Sequence, residues 1–278
     1  MSVLVVIAFI VVIVVIVIFG MFVKNFVQFN NNIIEDDKDE DTEEIKVDDG
    51  FDISYKDEEY VTRNKDGYVI STSKRNLPVI INDSNQNVAD KIVDSLTEIS
   101  NNEWNNNIKK MADELVEMYE NISEDMSLGA SYLLSTGVVT ENRLSFIIKM
   151  DGSFGGVSWN GENGYNYDAK TGELLTFESI AMDYEDLNNT IYNEVKSYIE
   201  RQEYVDDLWD DNANGTWTEI LKELVSKSGN WYFLDNGIRI VIPKYSLGPG
   251  YIGIISVDVN KDIINDYLKD EYKIDSYG

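Results

Sequence analysis

In 206-DDLWDDNANGTWTEI-220, Asp210, Asn212, Asn214 and Gly215 fall at positions 1, 3, 5 and 6 of an EF-hand loop. Carboxylate and amide oxygens at that spacing converge on a hard cation, and glycine supplies the sharp turn between them. The bidentate glutamate expected at position 12 is replaced by Leu221, and Glu219 stands two residues early. Two readings follow: a calcium site built from Asp210, Asn212, Asn214 and Glu219, or an Asn/Gly-rich turn capping a helix that opens at Trp217. Calcium is the one cofactor the sequence suggests.

Other chemistry is sharply restricted. The chain has neither histidine nor cysteine, which removes thiolate nucleophiles, Cys/His zinc sites, histidine bases and Ser-His-Asp triads. With 51 acidic residues, a carboxylate pair could serve a cell-wall glycan hydrolase. Candidates such as Asp168 and Glu173, however, sit beside a turn where nothing would tune them. The pair Gly155-Gly156 lacks the GxGxxG spacing of a dinucleotide loop and the GK[ST] of a P-loop, so it reads as a bulge or a close sheet approach. The expectation is a protein without catalytic activity.

The chain opens MSVLVVIAFIVVIVVIVIFGMFVK, with no charged side chain before Lys24. Some twenty apolar residues cross about 30 Å of hydrocarbon as a helix, so residues 1–24 read as an uncleaved single-pass membrane anchor, with residues 3–23 in the bilayer. A signal peptide would have a basic start and a shorter apolar core. Lys24 by itself favours a cytoplasmic body. Ten of the fifteen residues from Glu35 to Asp49 are acidic, so residues 25–65 read as a flexible stalk that repels itself and buries little. The net charge of −28 excludes a nucleic-acid footprint and favours a basic protein partner.

Residues 66–278 read as one α+β domain, or two intimate subdomains with a boundary near 130–180, built from antiparallel or mixed sheets with packed helices. The stretch 68-YVISTSKRNLPVIIND-83 suggests two short strands parted by a turn at Lys74-Arg75-Asn76. Val88, Ile92, Leu96 and Ile99 recur as one helix face, and after a polar break at 100-SNNE-103 a second face runs through Trp104, Ile108, Met111, Leu115, Met118 and Ile122. The tryptophan and methionines there read as core. Two strands fall within 130–150, and Tyr165 and Tyr167 lead into a hairpin turned by Asp168 to Gly172. Helices follow from about Tyr184 to Glu203 and from Trp217. A hairpin turns across Asp235-Asn236-Gly237, where Asn and Gly accept positive φ. A strand at 251-YIGIISV-257 and a final helix complete the pattern.

The order of four segments resembles a known arrangement. The strand 143-RLSFIIKM-150, the pair Gly155-Gly156, the hairpin 166-NYDAKTGELLTF-177 and the block 233-FLDNGIRIVIPKYSLGPGYIGIISV-257 are similar, from about Val69 to Leu268, to the extracytoplasmic domain of lysozyme-sensing anti-sigma proteins of Gram-positive bacteria. The same domain forms the N-terminal region of membrane-anchored peptidoglycan deacetylases. Where that family carries a histidine after its glycines, this chain has Ser158. The resemblance implies a domain outside the cytoplasm on a single-pass anchor, with a binding or sensing role and without the output modules of its relatives. It also implies a ligand class, a basic protein such as lysozyme or another cell-envelope component; a purely structural envelope role is the alternative. A binding surface would gather Tyr165, Tyr167, Asp168, Trp231, Tyr245 and Tyr251, the aromatic and polar residues of the two glycine-bearing blocks.

Overall fold

The computed structural model describes residues 50–154, 157–210 and 215–275. The expected anchor and most of the expected stalk lie outside the described residues. Among the described residues no helix is long and apolar enough to cross a membrane.

The architecture is α+β. A five-stranded sheet has the order β1 (Phe51–Arg63), β2 (Val69–Asn82), β3 (Gly129–Val139), β4 (Arg143–Phe154), β5 (Val157–Asp168). Its neighbours are antiparallel except β2 and β3, which run parallel. A parallel pair needs a long crossover, supplied here by α1 (Gln86–Glu103), a π-helical segment (Trp104–Lys109) and α2 (Lys110–Met118). A second sheet orders β6 (Trp231–Leu234), β7 (Gly237–Ile242) and β8 (Ile255–Asn260), all antiparallel. Around it pack α3 (Phe177–Ile180), α4 (Tyr184–Ile199), α5 (Trp217–Leu224) and α6 (Lys261–Ile264).

Several sequence expectations are corrected. The strand expected at 251–257 begins only at Ile255 and runs to Asn260, because Pro249 and the glycines around it leave Gly250–Ile252 as a 3-10 turn, and Ile122 lies past the end of α2. Residues 51–63 are not stalk: β1 pairs with β2 along its whole length, and Phe51, Ile53, Tyr55 and Tyr60 pack against the first core. Its charged residues mask the alternation, and one of them is structural, since Glu58 accepts from Arg75 Nε and Nη2 at 2.9 and 2.7 Å. Nor does β2 break at Lys74-Arg75-Asn76. Arg75 is buried beneath Trp104, 5.0 Å from its ring centre, so a charge that suggests a turn is a paired interior group.

The helix does not break at 100-SNNE-103 either. Val88, Ile92, Leu96, Ser100, Trp104, Ile108 and Ala112 are all buried, and in an α-helix each step of four overshoots the turn by about 40°. The wider π turn over Trp104–Lys109 takes up that drift and returns Trp104 and Ile108 to the core face. Met118, at the far end, is 67% exposed and is not core.

Apolar side chains gather in two clusters, one drawn from Phe51 to Ala169 and the other from Leu175 to Ile274. They meet where β5 comes alongside β6. Gly164 N–H donates to the Gly229 carbonyl at 2.9 Å, and the Asn166 side chain serves as a substitute backbone, donating to the Trp231 carbonyl at 3.0 Å and accepting from Phe233 N–H at 3.1 Å. A Cβ on Gly164 would lie 2.5 Å from the Trp231 carbonyl oxygen. Within the glycine-bearing segment, this is where close sheet approach requires glycine. β4 and β5 pair as far as Phe154↔Val157, so the chain reverses across Gly155-Gly156, whose own conformation lies outside the described residues.

Candidate functional site

The six residues expected to share one surface separate into two groups. Tyr167 and Trp231 belong to the interior: Tyr167 is fully buried, its hydroxyl 2.9 Å from that of Ser95, and Trp231 is 1% exposed between Phe177 and Phe233, with ring centres 4.7 and 5.4 Å away. Tyr165 is half-buried against the first core, and burial, then the charge of Glu103, raises its phenol pKa. On β5 every second side chain points inward, which places Tyr165 and Tyr167 on the core side.

Asp168 is committed to the turn that follows β5. One carboxylate oxygen accepts the N–H groups of Lys170 and Thr171 at 2.8 Å each, and the other accepts the Tyr272 hydroxyl at 2.6 Å. Burial pushes its pKa up, but those hydrogen bonds outweigh burial and hold the carboxyl below its ordinary value. Beside it Arg143, buried over the Phe233 ring at 4.6 Å, donates to the carbonyls of Tyr272 and Lys273 at 2.9 and 3.2 Å. Together Asp168 and Arg143 clamp the C-terminal segment, which is a structural task.

Tyr245 and Tyr251 are the outward pair, 62% and 70% exposed. They stand on the segment between β7 and β8, residues 243–254. Pro243, Pro249 and the glycines there prevent strand pairing, while buried Leu247 pins the segment to the second core and its carbonyl accepts Trp209 N–H at 2.9 Å. Tyr245 has φ +68° and is the one non-glycine residue with positive φ among the described residues. For a bulky side chain this left-handed backbone costs about 1–2 kcal/mol.

The Tyr245 ring lies over Gly250. A Cβ at that position would overlap Cε1 and Cζ of the ring, so the ring rests on bare backbone. Tyr251 follows directly, and the Asp207 carboxylate, as a hydrogen-bond acceptor and then by its charge, raises the Tyr251 phenol pKa. Asp206 and Asp210, on the same segment as Asp207, are exposed. Lys244 places its ammonium 5.2 Å from the centre of the Tyr245 ring. The surface therefore offers two tyrosine rings, one on a constrained backbone, next to exposed carboxylates. An exposed aromatic face next to a carboxylate suits recognition of a cationic group.

Sequence reasoning found the two tyrosines but not Asp207, Lys244 or Gly250. The available signal was the breaker-rich run 248-GPG-250 next to an aromatic residue, which marks a loop carrying a large side chain outside any paired strand.

For the calcium reading, Glu219 has another task. It closes a capping box on α5, accepting from Thr216 N–H at 2.9 Å and from Thr216 Oγ1 at 3.1 Å, while its own N–H donates to Thr216 Oγ1 at 3.4 Å. Those bonds lower its carboxyl pKa. Asp210 is exposed, Asn212 and Asn214 lie outside the described residues, and among the described residues no three acidic side chains are grouped to hold a metal.

Residues 180–262 match the family model described as a protein of unknown function, DUF3298. That span holds the second sheet, the helices α4 and α5 and the two outward tyrosines. A solved structure of a DUF3298 family member from Bacteroides fragilis is similar over 81% of this chain and 96% of its own, with a TM-score of 0.58 and 13% identity. A DUF3298 family protein from Pseudomonas aeruginosa PAO1 aligns over 82% of this chain and 99% of its own, with a TM-score of 0.49 and 13% identity. At 13% identity the first of these likenesses is one of fold alone. No curated protein matches this chain.

Proposed function

We propose that this chain is a non-catalytic binding domain, held at the outer side of the cell membrane by residues 3–23, that recognises a basic protein, of which lysozyme is the first candidate. The observation that carries the reading is Tyr245, a large exposed aromatic at positive φ whose ring lies over Gly250. Backbone strain of this kind persists where the surroundings impose it, and it concentrates at binding and switch regions. The net charge of −28 favours encounter with a cationic partner. The DUF3298 match includes the tyrosine-bearing loop, and the choice of lysozyme rests on the sequence resemblance alone.

The test is a titration of the full chain, in neutral detergent, with an animal lysozyme at two salt concentrations, beside an unrelated protein of equal basic charge. Saturable binding selective for lysozyme and retained at the higher salt, where exposed charges are screened, is the expected result. Equal and salt-labile binding to both proteins, or none, would remove lysozyme and leave a structural envelope role as the better reading.

A further inference from the structure

A carboxylate and an ammonium both stand near the outward tyrosines. Asp206, Asp207 and Asp210 are exposed on the segment that packs against the loop, where a Cβ on Gly248 would lie 3.4 Å from the Asp207 carbonyl oxygen, and the Asp207 side chain is near enough to Tyr251 to raise its phenol pKa. The cation at this surface belongs to the chain itself: the Lys244 ammonium, 5.2 Å from the Tyr245 ring centre. An ammonium or guanidinium within about 6 Å of a tyrosine ring is attracted by the negative face of its π system. Lys244 immediately precedes Tyr245, and both are carried on backbone fixed by Leu247 and Gly250.

We propose that Tyr245, Tyr251 and Asp207 form a receptor for a basic side chain, a guanidinium or ammonium group presented by a protein partner, and that Lys244 fills that position in the free protein. This rests on the reading of the chain as a binding domain and names the chemistry its loop selects. Tyr245 supplies the aromatic face, Asp207 supplies negative charge near Tyr251, and a partner cation displaces Lys244. The displaced ammonium swings into water, which its long flexible stem permits. Arginine is the better guest, because a planar guanidinium stacks on the ring while its edge donates to a carboxylate.

The probe is acetyl-tetra-arginine amide, titrated by calorimetry into the full chain in neutral detergent, with acetyl-tetra-citrulline amide as the uncharged isostere. Lys244→Gln is expected to tighten binding about 3-fold and Tyr245→Leu to weaken it about 3-fold, the scale of an exposed cation–π contact. Tyr245→Phe should bind as the wild type does. Leucine keeps the bulk and backbone demand of tyrosine, and circular dichroism of each variant confirms its fold. Unchanged affinity in both Lys244→Gln and Tyr245→Leu would overturn the proposal, as would equal binding of the citrulline peptide. The result is separable from the lysozyme titration: lysozyme binding that survives Tyr245→Leu leaves the domain a binder and removes only this receptor. Arginine binding without lysozyme binding retains the receptor and removes that partner.

Discussion

Strand β5 and the loop between β7 and β8 each carry two tyrosines near glycines, and they use them in opposite ways. On β5, Tyr165 and Tyr167 face the first core, because a paired strand aims alternate side chains at one face and that face is covered. On the loop, Tyr245 and Tyr251 face water, because prolines and glycines prevent pairing and no layer lies above them. Glycine serves both regions by admitting a close approach, but the approaching group differs. At Gly164 it is the backbone of β6, which joins the two sheets; at Gly250 it is the Tyr245 ring, which the loop thereby displays. Aromatic content alone therefore does not distinguish a core from a binding face. The backbone that carries the ring does.

The largest expected effect comes from treating one ring of each kind alike. Trp231→Ala removes a side chain that stands edge-on to Phe177 and Phe233 in the second core and should destabilise the protein by about 3–5 kcal/mol. Tyr245→Ala should change stability by less than about 0.5 kcal/mol, as exposed positions do. Urea unfolding of the two variants measures both. A loss above 2 kcal/mol for Tyr245→Ala would make that ring part of the fold and erase the distinction between the regions.

A second effect belongs to the inward tyrosines. Burial raises the Tyr55 phenol pKa to about 12 against a smaller opposing effect of its hydrogen bond to Thr136. Tyr232 is pushed to about 12 by burial and then by its bond to Glu162, with Arg239 opposing. A phenol whose folded pKa is raised favours the folded state fully below the ordinary value of 10.0, and that contribution disappears as pH rises from there to about 12. Denaturation midpoints should thus fall between pH 10 and 12, with late phenolate absorbance appearing together with loss of far-ultraviolet circular dichroism. Full ionisation of all 17 tyrosines before any loss of structure would show that the inward set is open to solvent.

Much of the architecture was legible because its signals are local. The hairpin turn at Asp235-Asn236, the four-residue recurrence from Val88 and the α4 face of Leu187, Ile191 and Val195 each depend on neighbours in sequence, although neither Asn236 nor Gly237 adopts the positive φ expected of it, Gly237 being paired with Leu234. What escaped depends on partners far along the chain. β1 looks like stalk because Asp52, Lys56, Asp57, Glu58 and Glu59 hide its alternation, and Glu58 gains a structural role only through Arg75, 17 residues on. The receptor was half legible in the same sense. Tyrosine, proline and glycine in 245-YSLGPGYIG-253 announce an exposed loop, whereas Asp207 joins it only when Leu247 docks beside Trp209.

The smallest expected effect sharpens the comparison most. Asparagine tolerates positive φ better than tyrosine because its short polar side chain bonds locally, so Tyr245→Asn relieves strain worth about 1–2 kcal/mol. It also removes the contact between the ring and Gly250, and the two terms oppose each other. With the ring 62% exposed, the lost contact is the lesser term, and Tyr245→Asn should stabilise the fold by about 0.5 kcal/mol while abolishing the tyrosine-dependent part of arginine-peptide binding. A position that gains stability when its side chain is removed, and loses binding at the same time, is one where tyrosine is kept for recognition. Destabilisation by more than about 1 kcal/mol would instead mean that the ring secures the loop, and Tyr245 would then belong with Tyr167 as a residue of the fold.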